Sequence, residues 1–124
     1  MAGLTLRCGD FLSLSRTEIG RFDLVWDRAA LVALDAERRE QFASVVQDVL
    51  RPDGVVLLNA FDYDQSEMDG PPHAVPLAEI RRLYPNWQVD ELRRGADQTE
   101  GKFAERGVSV WRDSLFALRR PPSP

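Results

Sequence analysis

Two runs of the chain are apolar almost without interruption: Phe22-Asp23-Leu24-Val25-Trp26-Asp27, and VVLLNAF over residues 55–61. Runs of this kind and length suit strands covered on both faces. Between them Phe42, Val45, Val46, Val49 and Leu50 recur at the spacing of one helical stripe, with Asp35 as N-cap and Pro52 and Gly54 as the stop. Strand, helix and strand joined by short links predict a βαβ unit with parallel strands and a right-handed crossover. Upstream, residues 4–7 predict a short strand that enters a turn at Cys8-Gly9-Asp10-Phe11. Downstream, Pro76 opens a predicted helix carrying Leu77, Ile80, Leu83 and Tyr84, and Pro85-Asn86 breaks it. Trp87, Val89 and Glu91 alternate with Gln88, Asp90 and Leu92 in a weak strand pattern, and residues 95–107 read as polar loop with some helix. Residues 108–111 and 115–118 predict a final strand pair or one long bent strand. Strands that follow one another without an intervening helix imply a hairpin. The fold class expected is therefore α/β, a mixed sheet, mostly parallel with an antiparallel C-terminal end.

Composition narrows this picture without changing it. A chain of 124 residues suits one domain, expected over residues 1–119, and the RRPPSP ending predicts a disordered tail from residue 120. The net charge of −4 argues against a general nucleic-acid binder. One cysteine, Cys8, excludes an intrachain disulfide and is expected as a small buried residue in a reducing compartment. No signal-peptide pattern and no run long enough to cross a bilayer are present, so a cytoplasmic protein without membrane contact is the expectation.

The order of these pieces, with the segments CGDF, FDLVWDRAALVAL, DYDQSEMDGPP and KFAERGVSV, resembles the thiopurine S-methyltransferase family. The likeness runs over nearly the whole chain. WDRAALVAL combined with YDQ and GPP at this spacing is its specific part. The resemblance implies a Rossmann-like, S-adenosylmethionine-dependent methyltransferase with a seven-stranded sheet ending in a hairpin, acting on a small thiol, selenol or metalloid compound. It also implies that residue 1 falls just before the family's third strand. The family's first strands and the glycine-containing loop that cradles the methionine end of the cofactor then have no counterpart, and no GxGxxG spacing occurs. On that reading the cofactor site is about half built, and the chain is truncated or a catalytically inactive remnant used for binding or dimerisation. The strand at residues 22–27 would be left with an open edge. Residues 4–7 would pair with it, or two copies would join into a homodimer edge to edge, or the chain would fold poorly alone.

The resemblance also sorts the candidate residues. Asp10 and Phe11 match the position that faces the cofactor adenine, although an Asp after Gly also caps turns. Asp27 and Arg28 end a strand where open α/β sheets bind ligands. Arg28 offers a planar fork of donors for an anionic acceptor, against the simpler reading of a structural Asp–Arg pair, and Trp26 is expected in the core. Tyr63 or Asp64 would contact substrate from a rim that Pro71 and Pro72 stiffen, and Lys102 matches a basic position near the substrate. His73 stands where relatives carry Phe. The acidic residues at 62–69 lack the spacing of a calcium loop, so no metal is expected.

Overall fold

The structure is a computed structural model, and residues 3–95 and 105–122 are described. After a 3-10 turn at Phe11–Ser13 come a short helix α1 (Arg16–Ile19), strand β1 (Phe22–Asp27), a second 3-10 turn (Leu31–Ala33) and helix α2 (Ala36–Val49). Strand β2 (Leu50–Asp62), helix α3 (Leu77–Leu83), strand β3 (Gln88–Arg94) and strand β4 (Arg112–Arg119) follow. The four strands form one sheet in the order β1-β2-β4-β3. β1 runs parallel to β2 with α2 as the crossover, while β4 is antiparallel to both β2 and β3. The mixed α/β sheet with its antiparallel β3–β4 end is the one expected, though parallel pairing is confined to β1 and β2.

α2 forms where the stripe and cap demand it. The Asp35 carboxylate accepts from the Arg38 amide, and Phe42, Val45, Val46 and Val49 are all buried. Phe42, Ala43 and Val46 join one core cluster with Val56, Leu58 and Ala60, the β2 side chains of one sheet face, together with Ile80 and Leu83 of α3 and Phe116 and Leu118 of β4. Burying side chains of this size contributes roughly 1.5–3 kcal/mol each, which outweighs the modest helix propensity of a valine-rich stretch. Pro76 serves α3 as its N-cap residue. A second apolar cluster gathers Tyr63, Met68, Ala74, Val108 and Trp111 beyond the end of β2.

Several expectations are corrected. Residues 4–7 form no strand; Leu4 and Leu6 are 94% and 91% exposed and pair with nothing in the sheet. β1 is not covered on both faces. It is an edge strand, and Phe22, Leu24 and Trp26 stand exposed on one face because no described element packs over that face. Trp26, expected in the core, is 61% exposed for that reason. Cys8 is exposed. Residues 108–111 lie outside any strand, so the last strand is β4 alone. Arg120, just beyond β4, donates to the carbonyls of Gln47 (2.6 Å) and Leu50 (2.8 Å) and lies over the Trp87 ring.

Candidate functional site

The C-terminal end of β1 opens on a cavity of about 640 Å³. Its walls bring together two pieces of chain distant in sequence, Asp10-Phe11-Leu12 and Trp26-Asp27-Arg28, with Leu34 and Phe42 behind them. The volume falls within the roughly 300–1,000 Å³ range typical of small-molecule sites. The Phe11 and Phe42 rings stack at 4.9 Å between centroids, giving the cavity an aromatic wall. Asp10 holds the turn that presents Phe11: one carboxylate oxygen accepts from the Leu12 amide and the other from the Ser13 hydroxyl, both at 3.0 Å. The capping reading of Asp10 is thus realised, and the same cap sets Asp10 at the cavity edge.

Asp27 and Arg28 part company at the strand end. The Asp27 side chain turns inward, 4% exposed, and its Oδ1 accepts from the amides of Ala30 (3.1 Å) and Leu31 (3.3 Å). Burial pushes its pKa up to about 6 against the opposing pull of those two hydrogen bonds, the Leu31 bond first. Arg28 stays exposed, with its guanidinium carbon 5.8 Å from the centre of the Trp26 ring. Trp26 in turn donates from Nε1 to Asn59 Oδ1 at 3.0 Å. Of the two cavity-lining residues, Arg28 is therefore the exposed one, while Asp27 shapes the loop carrying it.

Tyr63 and Asp64 line a different cavity, of about 650 Å³, together with Arg39 and His73. The 3-10 turn at Leu31–Ala33 forms part of the wall between the two: Ala33 lines the first cavity, while the Val32 carbonyl accepts from the amide of His73, which lines the second. Leu31 and Val32 are buried in that wall. The tips of β1 and β2 thus open on neighbouring cavities and not on a common one. Tyr63 itself is 6% exposed, its ring stacked on Trp111 and its hydroxyl donating to the Pro72 carbonyl at 2.6 Å. Asp64 is exposed, with its pKa lowered chiefly by the Ser66 hydroxyl and then by the Ser66 amide. Lys102 lies outside the described residues.

Three contributors escaped the sequence reading. Trp26 lines the first cavity instead of the core. Gln65 latches the loop after β2, donating to Tyr63 Oη (3.0 Å) and the Met68 carbonyl (2.8 Å) while accepting from the Ala74 amide (2.8 Å). Arg39, on the α2 surface by simple charge rules, is buried. Gln65 belongs to the YDQ motif, though its latching role does not show there, and nothing local marks Arg39, whose partners Ala74 and Glu79 lie far along the chain. Among the described residues no group of three or more His, Cys, Asp or Glu side chains is placed to hold a metal ion.

A parallel strand pair with a helical crossover, a closing antiparallel hairpin and a ligand-sized cavity at the first strand's C-terminal tip define a Rossmann-like methyltransferase fold. Among solved structures, an S-adenosylmethionine-dependent methyltransferase from Methanosarcina mazei superposes with a TM-score of 0.61 at 15% identity, covering 92% of this chain and 66% of that one. The Burkholderia thailandensis 1,6-didemethyltoxoflavin-N1-methyltransferase, solved with 1,6-didemethyltoxoflavin and S-adenosylhomocysteine bound, superposes at 0.55 and 17% identity, covering 82% and 45%. The chain belongs to the thiopurine S-methyltransferase family, which it matches over residues 1–121. A thiopurine S-methyltransferase of Pseudomonas aeruginosa is 43% identical over 122 residues, which are 97% of this chain and 56% of that enzyme. The chain thus spans about half the length of the curated relatives it matches.

Proposed function

We propose that this chain forms the acceptor-side part of an S-adenosylmethionine-dependent methyltransferase whose substrate is a small thiol, selenol or metalloid compound, thiopurines included. One observation carries the reading: the first cavity joins Asp10 and Phe11 to Arg28 across the C-terminal tip of β1. The fit to the cofactor is partial. The Phe11–Phe42 wall and the Asp10 carboxylate at its edge suit a flat, amine-bearing ring. The methionine end has no counterpart here, because the described residues hold no glycine-rich strand-to-helix turn. When bound, the cofactor supplies an electrophilic methyl group on a sulfonium.

The remaining work belongs to the chain's own side chains. Arg28, exposed at the cavity, draws a thiolate or selenolate by its charge and so favours the ionised acceptor. Asp27 holds the Arg28–Leu31 backbone in place through its two amide contacts. Asp64, on the neighbouring rim, offers an acceptor to polar substituents of the substrate, and Lys102 is assigned to the same rim by resemblance. With an acidic acceptor, alignment and exclusion of water supply most of the rate. A cytoplasmic place of work fits the exposed free thiol of Cys8.

Titrating the purified chain with S-adenosylhomocysteine tests this. Micromolar binding that falls at least tenfold in Asp10→Ala is expected, and no detectable binding at millimolar ligand overturns it. A second reading, a remnant acting as a dimerisation module, draws on the edge of β1. Phe22, Leu24 and Trp26 are 44%, 52% and 61% exposed, and the strand carries no Pro or Lys to guard it. Antiparallel pairing about Leu24 sets Phe22 of one copy opposite Trp26 of the other. Sedimentation that shows a dimer lost in Leu24→Lys supports this second reading, and a monomer at all concentrations removes it.

A further inference from the structure

Arg39 is almost wholly buried, its side chain 7% exposed, at the floor of the second cavity. A guanidinium is always charged and carries five donors in a fixed plane, so burying one is costly unless its surroundings satisfy it. Here Nε donates to the Leu34 carbonyl (3.3 Å), Nη2 to the Ala74 carbonyl (3.4 Å), and Nη1 lies 3.6 Å from Glu79 Oε2. Those three partners belong to three separate parts of the chain. Leu34 follows the 3-10 turn in the loop that carries Arg28 and lines the first cavity. Ala74 follows the Pro71-Pro72-His73 rim, and Glu79 sits in the first turn of α3. Glu79 is itself fixed by Arg82, which also reaches Glu40 beside Arg39. One backbone contact reinforces the tie, His73 N donating to Val32 O, while the Gln65 side chain, whose Oε1 accepts from Ala74 N, steadies the rim itself.

We propose that Arg39 is a positioning residue that locks the Arg28-bearing loop to the proline rim, so that the two neighbouring cavities hold a fixed spacing and occupancy of one steadies the other. A lone salt bridge would tie α2 to α3 only. The two carbonyl contacts instead join the loops that follow β1 and β2, which no strand pairing connects beyond Asp27 and Asp62. The inference rests on the methyltransferase reading only for what the cavities bind; the mechanical tie stands apart from it.

Amide hydrogen exchange on the full chain tests the tie. Arg39→Met is compared with Val46→Ala, a core truncation that lowers global stability without removing a hydrogen bond or ion pair of either loop. At matched global stability, Arg39→Met is expected to speed exchange at Ala33, Leu34, His73 and Ala74 together by at least tenfold over Val46→Ala, with Arg39→Lys in between. Acceleration confined to one loop, or equal in the two variants, overturns the proposal. If Arg39→Met does not fold, Arg39→Lys carries the same comparison, with the same four amides as readout. S-adenosylhomocysteine titration is run in parallel. Weaker binding in Arg39→Met than in Val46→Ala extends the tie to ligand binding, and unchanged affinity overturns that part. Absence of binding to the unsubstituted chain sinks the methyltransferase reading alone, leaving the exchange result to judge the tie.

Discussion

The loops that follow the two parallel strands do the same architectural job by opposite means. After β1, the backbone is held by a buried carboxylate: Asp27 accepts from Ala30 and Leu31 while burial drives its pKa to about 6. After β2, no buried carboxylate does this work: the Gln65 amide, the Tyr63 hydroxyl and the ring stack of Phe61, Tyr63 and Trp111 hold the loop, with the exposed Asp64 carboxylate and the Arg39 guanidinium adding contacts at Ser66 and Ala74. The first device stores an electrostatic cost beside the cavity that exposes Arg28. The second is satisfied at every contact and adds apolar burial. A site that must meet a charged ligand tolerates the first arrangement, whereas a rim that must merely keep its shape favours the second.

Substitutions should break the two devices with different signs. Trp111→Ala is expected to give the largest effect, a loss of about 3–5 kcal/mol in urea unfolding, because the second cluster loses its central ring. Asp27→Asn should move stability the other way. An asparagine Oδ1 still accepts from both amides but buries no charge. In the native chain the Asp27 contribution is fully present below pH 3.8 and is lost as pH rises through about 6, since folding favours the protonated acid. The substitution should therefore raise stability at pH 7 by up to ~3 kcal/mol and flatten the dependence between those two pH values. A destabilised variant with an unchanged pH profile would show that Asp27 is not under strain. Gln65→Leu is expected to cost about 1–3 kcal/mol, as the Ala74 amide and Met68 carbonyl lose their partner, with little pH dependence over the same range. Asp35→Ala should cost least, about 1 kcal/mol, through the α2 cap alone. It serves as the reference that touches neither device.

Much of this was legible in the sequence where the determinants are local. The Asp35 cap, the Phe42–Val49 stripe and the β2 run each depend on neighbours a few residues away, and each is found, although β2 begins at Leu50 and takes in Pro52 and Gly54, which were read as the helix stop. The mixed sheet followed from helix and strand order. Asp10 and Arg28 came from resemblance, and the fold does bring them to one cavity. What failed was whatever depends on a distant partner. The apolar content of β1 reads alike for a central and an edge strand, so Trp26 was misplaced. Residues 4–7 have strand composition but no strand beside which to lie. Tyr63 lines the second cavity, and its contacts with Trp111 and Pro72, 48 and 9 positions further on, lay beyond the local pattern. Arg39 looks like any helix-surface arginine until the carbonyls of Leu34 and Ala74 close around it.

β2 also determines the order in which the molecule would come apart. Residues 55–58 are bonded to β1 on one side and β4 on the other, and β4 is bonded in turn to β3, so β2, β4 and β3 form a continuous antiparallel stretch of sheet. β1 and β3 each have one neighbour among the described strands. Heat or denaturant should fray those two margins first, the β1 side carrying off the wall behind Arg28, while the β2–β4 pair and the aromatic knot around Trp111 survive as the last remnant to melt.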